Sequence, residues 1–305
     1  MSEFRFKMDI NPYNKRHIPM KMFKFFGSVS VFALVVVGNA QFKPSKADQI
    51  KAGKEYAMKI RKENKVLPDT DPRVKLLRLV GQRFVNARTP DEIKKEPWEF
   101  TFDVIDSKEV NAFAIPGGPV FFFTGLIDKL TTVDEIAGIM GHELIHVRRE
   151  HWASSVNTLQ TRSLGILALG TIFGISRKNM EIAEVVTQYG PNLDLSRGQE
   201  KEADQYGFDF NLKAGYNPEG MISVFELFRK LKGGGGNVEF LSTHPDDKNR
   251  ITALKKKLED YKKKGLIAKL PPLTPLPFET TATKAAKQPI IKSPAPGKGL
   301  GGTKE

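Results

Sequence analysis

From Ser45 to about Val66, Ile50, Ala57, Met58 and Ile60 recur at helical spacing among Lys and Glu, and Asp71 ahead of Pro72 opens a second helix reaching Ala87. Then the period changes. Trp98, Phe100, Phe102 and Val104 alternate with Glu99, Thr101 and Asp103, the pattern of a half-buried strand. Val110–Ile115 and Val120–Thr124 predict two more strands joined across Pro116-Gly117-Gly118-Pro119, so a small antiparallel sheet is expected. Thr132 with Glu135 has the register of a capping box heading a helix to about His151, and Ser196 with Gln199 repeats it for a helix stopping at Gly215. Gly138 and Gly141 inside the first of these helices imply that another backbone packs closely there. Asn217-Pro218 starts a helix to about Leu231, Gly233–Gly236 break it, and a further helix runs from Pro245 to about Lys264. The fold class is α+β, mainly helical, with the sheet beside the helix at 132–151.

Composition divides the chain. Lys21 and Lys24 precede an apolar stretch from Phe25 to Val37 that ends in Gly38-Asn39-Ala40, which predicts a signal peptide over 1–40 cleaved before Gln41, or an uncleaved N-terminal anchor. The folded domain is then 41–265, and 266–305, rich in Pro and Lys, is expected to be disordered. Export follows from the leader, with a membrane-anchored form facing the same compartment as the alternative.

The net charge of +13 suggests an anionic partner, but residues 41–250 carry 30 Lys and Arg against 29 Asp and Glu. Nucleic-acid binding, which needs basic residues spread over a folded face, is not expected. The excess sits in the leader, in the run Lys255–Lys257 with Lys262–Lys264, and in the tail. The basic C-terminal segment is a candidate for contact with an anionic membrane surface, solvated lysines being the simpler reading. The absence of cysteine excludes disulfides, thiolate metal sites and cysteine nucleophiles.

The chemistry lies in His142-Glu143-Leu144-Ile145-His146. Four helical residues turn through about 400°, so both imidazoles leave one face a turn apart, the separation at which two nitrogens grip one zinc ion. Glu143 stands about 100° away, able to reach a water without ligating the metal. A third protein ligand is required. His151, about 900° from His142 on a straight helix, points to the other side and takes a packing or ligand-orienting role. No Asp or Glu occurs over 152–180, so the carboxylate comes from further along. Glu200 is the preferred ligand, sharing a face with Asp204 and with the small residues Ala203 and Gly207, while Glu202 points elsewhere and Glu181 and Glu184 compete. Asp204 is then the acceptor that orients a ligating histidine.

His142-Glu143-x-x-His146, Ser196-Arg197-x-x-Glu200-x-Glu202-Ala203-Asp204, Thr243-His244-Pro245 with Arg250, and Asn111-Ala112-Phe113-Ala114-Ile115-Pro116-Gly117-Gly118 together resemble the CAAX prenyl protease and HtpX-like zinc metallopeptidases, metallopeptidase family 48, of the gluzincin type. The resemblance spans about Ala47 to Leu254. It implies a zincin-like domain with one Zn²⁺ per chain, on which Glu200 completes the ligand set. The apolar run Leu164–Ile175 is too short to span a membrane, so the chain is more similar to the soluble, exported bacterial branch than to the CAAX-processing enzymes. That branch implies an endopeptidase of the periplasm acting on misfolded or unassembled envelope proteins. A chaperone-like module keeping the fold with little turnover is the alternative.

On this reading Glu143 is the general base, and His244 and Arg250 are candidates for stabilising the oxyanion. His244, following the glycine run, is also a candidate fourth ligand that would make the resting enzyme latent. The strand Asn111, Ala112, Phe113 and Ala114 could receive an extended substrate by strand addition. Leu164–Ile175 is read as a buried helix, with a lid or membrane-contacting hairpin as the alternative.

Overall fold

A computed structural model describes residues 43–155, 195–244, 248–267 and 270–287. The leader, Leu164–Ile175, Glu181, Glu184, the helix start at Pro245 with Asp246 and Asp247, and the last residues of the tail lie outside the described residues. Helix α1 (Lys46–Glu63) is capped by Ser45 through a capping box with Asp48, and α2 (Pro72–Asn86) by Asp71, whose carboxylate accepts from the Arg73 N–H. A short α3 (Pro90–Lys95), absent from the sequence expectation, is set by Thr89 and Glu92 in a further capping box.

The strands are β1 (Thr101–Ile105), β2 (Ala112–Ala114) and β3 (Pro119–Phe123), in the order β1-β3-β2. The sheet is mixed and not fully antiparallel: β2 pairs β3 antiparallel, Phe113 opposite Phe121, while β1 pairs β3 in parallel, Asp103 opposite Phe121. The connection over 106–111 carries the chain past one strand position, and β3 enters the gap. Both faces are covered. Val120 and Phe122 join the main core with Val74, Leu77 and Phe84, whereas Phe121 and Phe123 meet Ala57 and Ile60 of α1. Asp103 is therefore buried, where alternation placed it in solvent, and it accepts from Arg61 Nε at 2.9 Å. Gly117 (φ 86°) turns the chain under α1, where a Cβ would meet the Gln49 carbonyl oxygen at 2.6 Å.

After α4 (Thr124–Ile127), the central helix α5 (Val133–Arg148) starts on the expected box, with the Glu135 N–H donating to Thr132 Oγ1 and Glu135 Oε2 accepting from the Thr132 N–H. All its residues from Val133 to Val147 are buried. It packs against α6 (Arg197–Lys213) and α7 (Glu219–Gly233) closely enough that a Cβ on Gly138 would lie 2.5 Å from Met221 Cα. Gly207 of α6 approaches the His142 backbone nitrogen in the same way. Beyond α8 (Phe240–Thr243), α9 (Lys248–Lys263) closes this layer.

Within the segment expected to be loose, residues 270–287 are built into the fold. Thr274 and Leu276 exchange backbone hydrogen bonds with Val133 and Thr131, Leu276 enters the core, and α10 (Thr281–Lys287) follows. Among the described residues the segment's apolar anchors are Ile267, Leu270, Leu276 and Phe278. Polar contacts add to the hold: the buried Asp134 carboxylate accepts from the Asn217 and Thr274 N–H groups at 2.8 and 2.7 Å, and Thr280 Oγ1 donates to the Leu130 carbonyl. A strap of low hydrophobicity thus braces the start of α5.

Candidate metal centre and active-site cleft

Helix α5 carries His142 and His146 one turn apart, and both rings are buried. Against them α6 presents Glu200 and Asp204, and the chain leaving α8 presents His244, its ring stacked on Phe240 at 4.4 Å. His142 Nε2 lies 3.0 Å from His146 Nε2 and 3.2 Å from His244 Nδ1. Glu200 Oε1 lies 3.0 Å from His244 Nδ1 and 3.4 Å from His146 Nε2, with its Oε2 3.5 Å from His142 Nε2.

Four donors about 2.0–2.1 Å from one cation in tetrahedral array stand roughly 3.3 Å apart, close to these spacings. Neutral imidazoles cannot satisfy one another here: at least part of their lone pairs converge, which is unfavourable without positive charge at the centre. The buried donor set of His142, His146, Glu200 and His244, all within 4.8 Å of one another, therefore fits a single divalent cation.

The titration tendencies agree. Burial opposes charge on His142, yet Asp204 and Glu200 outweigh it and push its pKa up to about 9. Burial would raise Glu200 as well, but His244 and His142 hold it far below the usual carboxylate range. His146 falls well below its ordinary value through burial and the neighbouring His142. The field of the site favours one positive charge among these groups.

Asp204 Oδ1 lies 3.0 Å from His142 Nδ1, off the line of a well-directed hydrogen bond. Arg250, expected as an oxyanion candidate, faces the carboxylates instead. Its Nε and Nη2 donate to the two oxygens of Asp204 at 2.7 and 2.8 Å, and Nη1 lies 3.0 Å from Glu200 Oε2. It is 8% exposed and is absent from the described lining of the cleft, because α9 delivers it from behind α6.

That cleft opens along Phe113, Ala114, Ile115, Glu143, His146 and His244. Strand β2 is an edge of the sheet among the described residues, and the Ala114 N–H turns outward to donate to Glu143 Oε2 at 2.9 Å. The other Glu143 oxygen is 3.3 Å from His244 Nε2. Burial raises the Glu143 pKa, against the pull of His244 and His142. Asn111 and Ala112 lie on the same segment, Ala112 fully buried and opposite Phe122.

His151 takes a place that straight-helix geometry does not give it. Helix α5 ends at Arg148, Glu150 adopts a positive φ of 53°, and residues 151–155 resume as helix in a new direction. His151 consequently turns back, its Nδ1 2.8 Å from His146 Nδ1 and its Nε2 3.3 Å from Glu202 Oε2. Burial holds the His151 pKa below its ordinary value despite Glu202. No residue type at position 150 announces that bend, so a projection along one axis misplaces His151, although its contact with His146 agrees with the ligand-orienting role.

The basic run on α9 is partly consumed within the fold. Lys255 pairs with Glu226, Lys257 with Asp209 and Lys262 with Glu219. Among the described residues no helix is long and apolar enough to cross a membrane.

The model of peptidase family M48 matches residues 77–258. Relatives include the mitochondrial metalloendopeptidase OMA1 of Bos taurus, 31% identical over 182 residues, which are 56% of this chain and 35% of the relative. A provisionally named beta-barrel assembly-enhancing protease of Vibrio cholerae is 31% identical over 170 residues, covering 53% of this chain and 35% of that protein. Metalloprotease YcaL of Escherichia coli is 30% identical over 166 residues, covering 53% and 63%. The chain thus matches about a third of the first two and under two thirds of the last.

Proposed function

The chain belongs to peptidase family M48, and from that premise we propose that it is a zinc-dependent endopeptidase using Glu143 as general base. The observation that carries this reading is the buried convergence of donor atoms of His142, His146, Glu200 and His244, within 4.8 Å of one another, beside a buried carboxylate, Glu143, one oxygen of which accepts from the Ala114 N–H. Imidazole nitrogens together with a carboxylate oxygen suit zinc.

His142, His146 and Glu200 would hold the ion, with His244 as a fourth donor in the resting state. When bound, zinc polarises the scissile carbonyl and lowers the pKa of a water toward about 7. The remaining work belongs to the chain. Ala114 N–H fixes Glu143 Oε2, so Oε1 faces the cleft, takes the proton of the attacking water and passes it to the departing amine. Burial, by raising the Glu143 pKa, makes it a better proton acceptor than a solvated carboxylate. His244 Nε2 borders the same oxygen, so displacement of His244 from its resting place would open the site beside the base. Asp204, backed by Arg250, keeps His142 in place.

An extended peptide adds along the outer side of β2, from Asn111 to Ala114, by main-chain hydrogen bonds that read little side-chain identity and leave the Ala114 N–H on Glu143. Unfolded segments suit that mode. We therefore place its substrates among misfolded or unassembled envelope proteins in the periplasm, a reading supported by the name of the Vibrio relative and by the signal-like leader. The basic C-terminal segment is the proposed point of contact with the membrane surface.

Casein digestion tests the reading. Cleavage should be abolished by chelation, restored by zinc, and lost in Glu143→Gln; undiminished cleavage by that variant would refute the assigned base. In His244→Ala the latch reading predicts higher basal activity, and transition-state stabilisation predicts its loss.

A further inference from the structure

His146 makes a contact that metal ligation alone does not explain. Its Nδ1, facing away from the donor cluster, lies 2.8 Å from Nδ1 of His151. Two imidazole nitrogens at that distance share one proton, and which ring carries it is decided further out. His151 Nε2 faces Glu202 Oε2 at 3.3 Å, and a carboxylate only accepts. The Nε2 atom of a neutral His151 therefore bears the hydrogen, its Nδ1 offers a lone pair, and His146 must donate from Nδ1. The remaining lone pair of His146 is then on Nε2, directed at His142 Nε2, His244 and Glu200.

The surroundings keep this arrangement fixed. Glu150, whose positive φ aims His151 backward, accepts from Gln49 Nε2 at 2.8 Å and pairs with Lys43. Gln199 donates to the His151 carbonyl at 2.9 Å. Arg149 Nε lies 3.1 Å from the other oxygen of Glu202.

We infer that His151 and Glu202 form a positioning pair that locks the proton of His146 on Nδ1 and so presents its Nε2 lone pair to the cation. The inference rests on the zinc reading above. Neither residue touches substrate.

The test measures zinc affinity of the full chain by competition with a chromophoric chelator, and the tautomer of His146 in metal-free protein by ¹⁵N NMR. Wild type should show the Nδ1–H form of His146. His151→Leu, which fills the site without an acceptor, should mix the tautomers and weaken zinc binding by about tenfold to a hundredfold. His151→Asn, whose amide oxygen can stand where Nδ1 stood, should restore most of that affinity. Glu202→Ala should weaken binding in the wild-type background and add nothing to His151→Leu. An Nε2–H form of His146 in wild type, or a His151→Leu affinity within about twofold of wild type, overturns the proposal. If His151→Leu does not fold, Glu202→Ala decides, since that side chain is 37% exposed; unchanged affinity there overturns it too. Wild type that binds no zinc refutes the zinc reading, and the tautomer measurement then decides the positioning pair separately.

Discussion

At Glu143 two demands meet: the carboxylate must be dry enough to accept a proton readily, yet held in one orientation. Burial supplies the first, the Ala114 N–H the second. Glu143→Gln keeps the shape and removes the base, so turnover should fall by about 10²–10⁴ while zinc stays bound, as metal analysis beside a peptide-hydrolysis assay would show. Arg250 makes a different point. Its removal leaves the buried carboxylates of Asp204 and Glu200 without their fixed counter-charge, and Arg250→Leu should cost about 3–5 kcal/mol in denaturant unfolding of the metal-free protein. A loss below about 1 kcal/mol would contradict that account. His142, Glu143 and His146 were legible because helical spacing is a local property. Glu200 was reachable through its shared face with Asp204. The destinations of Arg250 and His151 were not, because one depends on how α9 lies behind α6 and the other on a backbone bend at Glu150.

Among the elements, helix starts were the most legible feature, since a capping box is complete within four residues. Thr132–Glu135 and Ser196–Gln199 both form as the spacing requires. Strand order was not encoded locally: alternation marks β1 and a short apolar run marks β3, but neither says which edge each strand meets. The close approach announced by Gly138 is present, and it can be measured. Alanine favours a helix intrinsically, yet Gly138→Ala would drive a methyl into the Met221 backbone and should destabilise by about 1–3 kcal/mol in chemical unfolding. A gain in stability would show that the helices separate freely. Helix α3 is tied to its neighbours by Glu92, which reaches Arg148 of α5 and Lys213 of α6. Partial burial pushes the Glu92 pKa upward, but Lys213, the Thr89 N–H and Arg148 prevail and lower it from 4.5 to about 2. A depressed folded-state pKa means that this stabilisation is fully present above the unfolded value and disappears as pH falls through the folded one. Wild type should therefore lose its advantage over Glu92→Gln between about pH 4.5 and 2. Parallel pH–stability curves for the two proteins would contradict the pairing.

Across the whole molecule, the helices carrying the donors are braced from both ends. Glycine and alanine faces bring α5 and α6 together at the metal site, and the strap over 270–284 fastens the start of α5 through Asp134. Composition concealed the strap, because a few spaced apolar residues, the Thr274 N–H and the Thr280 hydroxyl hold it and no continuous apolar pattern announces it. Ending the chain at 269 removes the Thr274 N–H from a buried carboxylate and should lower stability by at least about 1–3 kcal/mol, read as a lower melting temperature. An unchanged melting temperature would show that the strap is passive. The central claim remains that four side chains from three parts of the fold surround one cation. Its most direct test is the zinc content of protein purified without chelator, by elemental analysis. One zinc per chain is predicted, falling to none in a His142→Ala, His146→Ala double variant; wild type with no stoichiometric zinc, or a double variant that keeps it, would contradict the account.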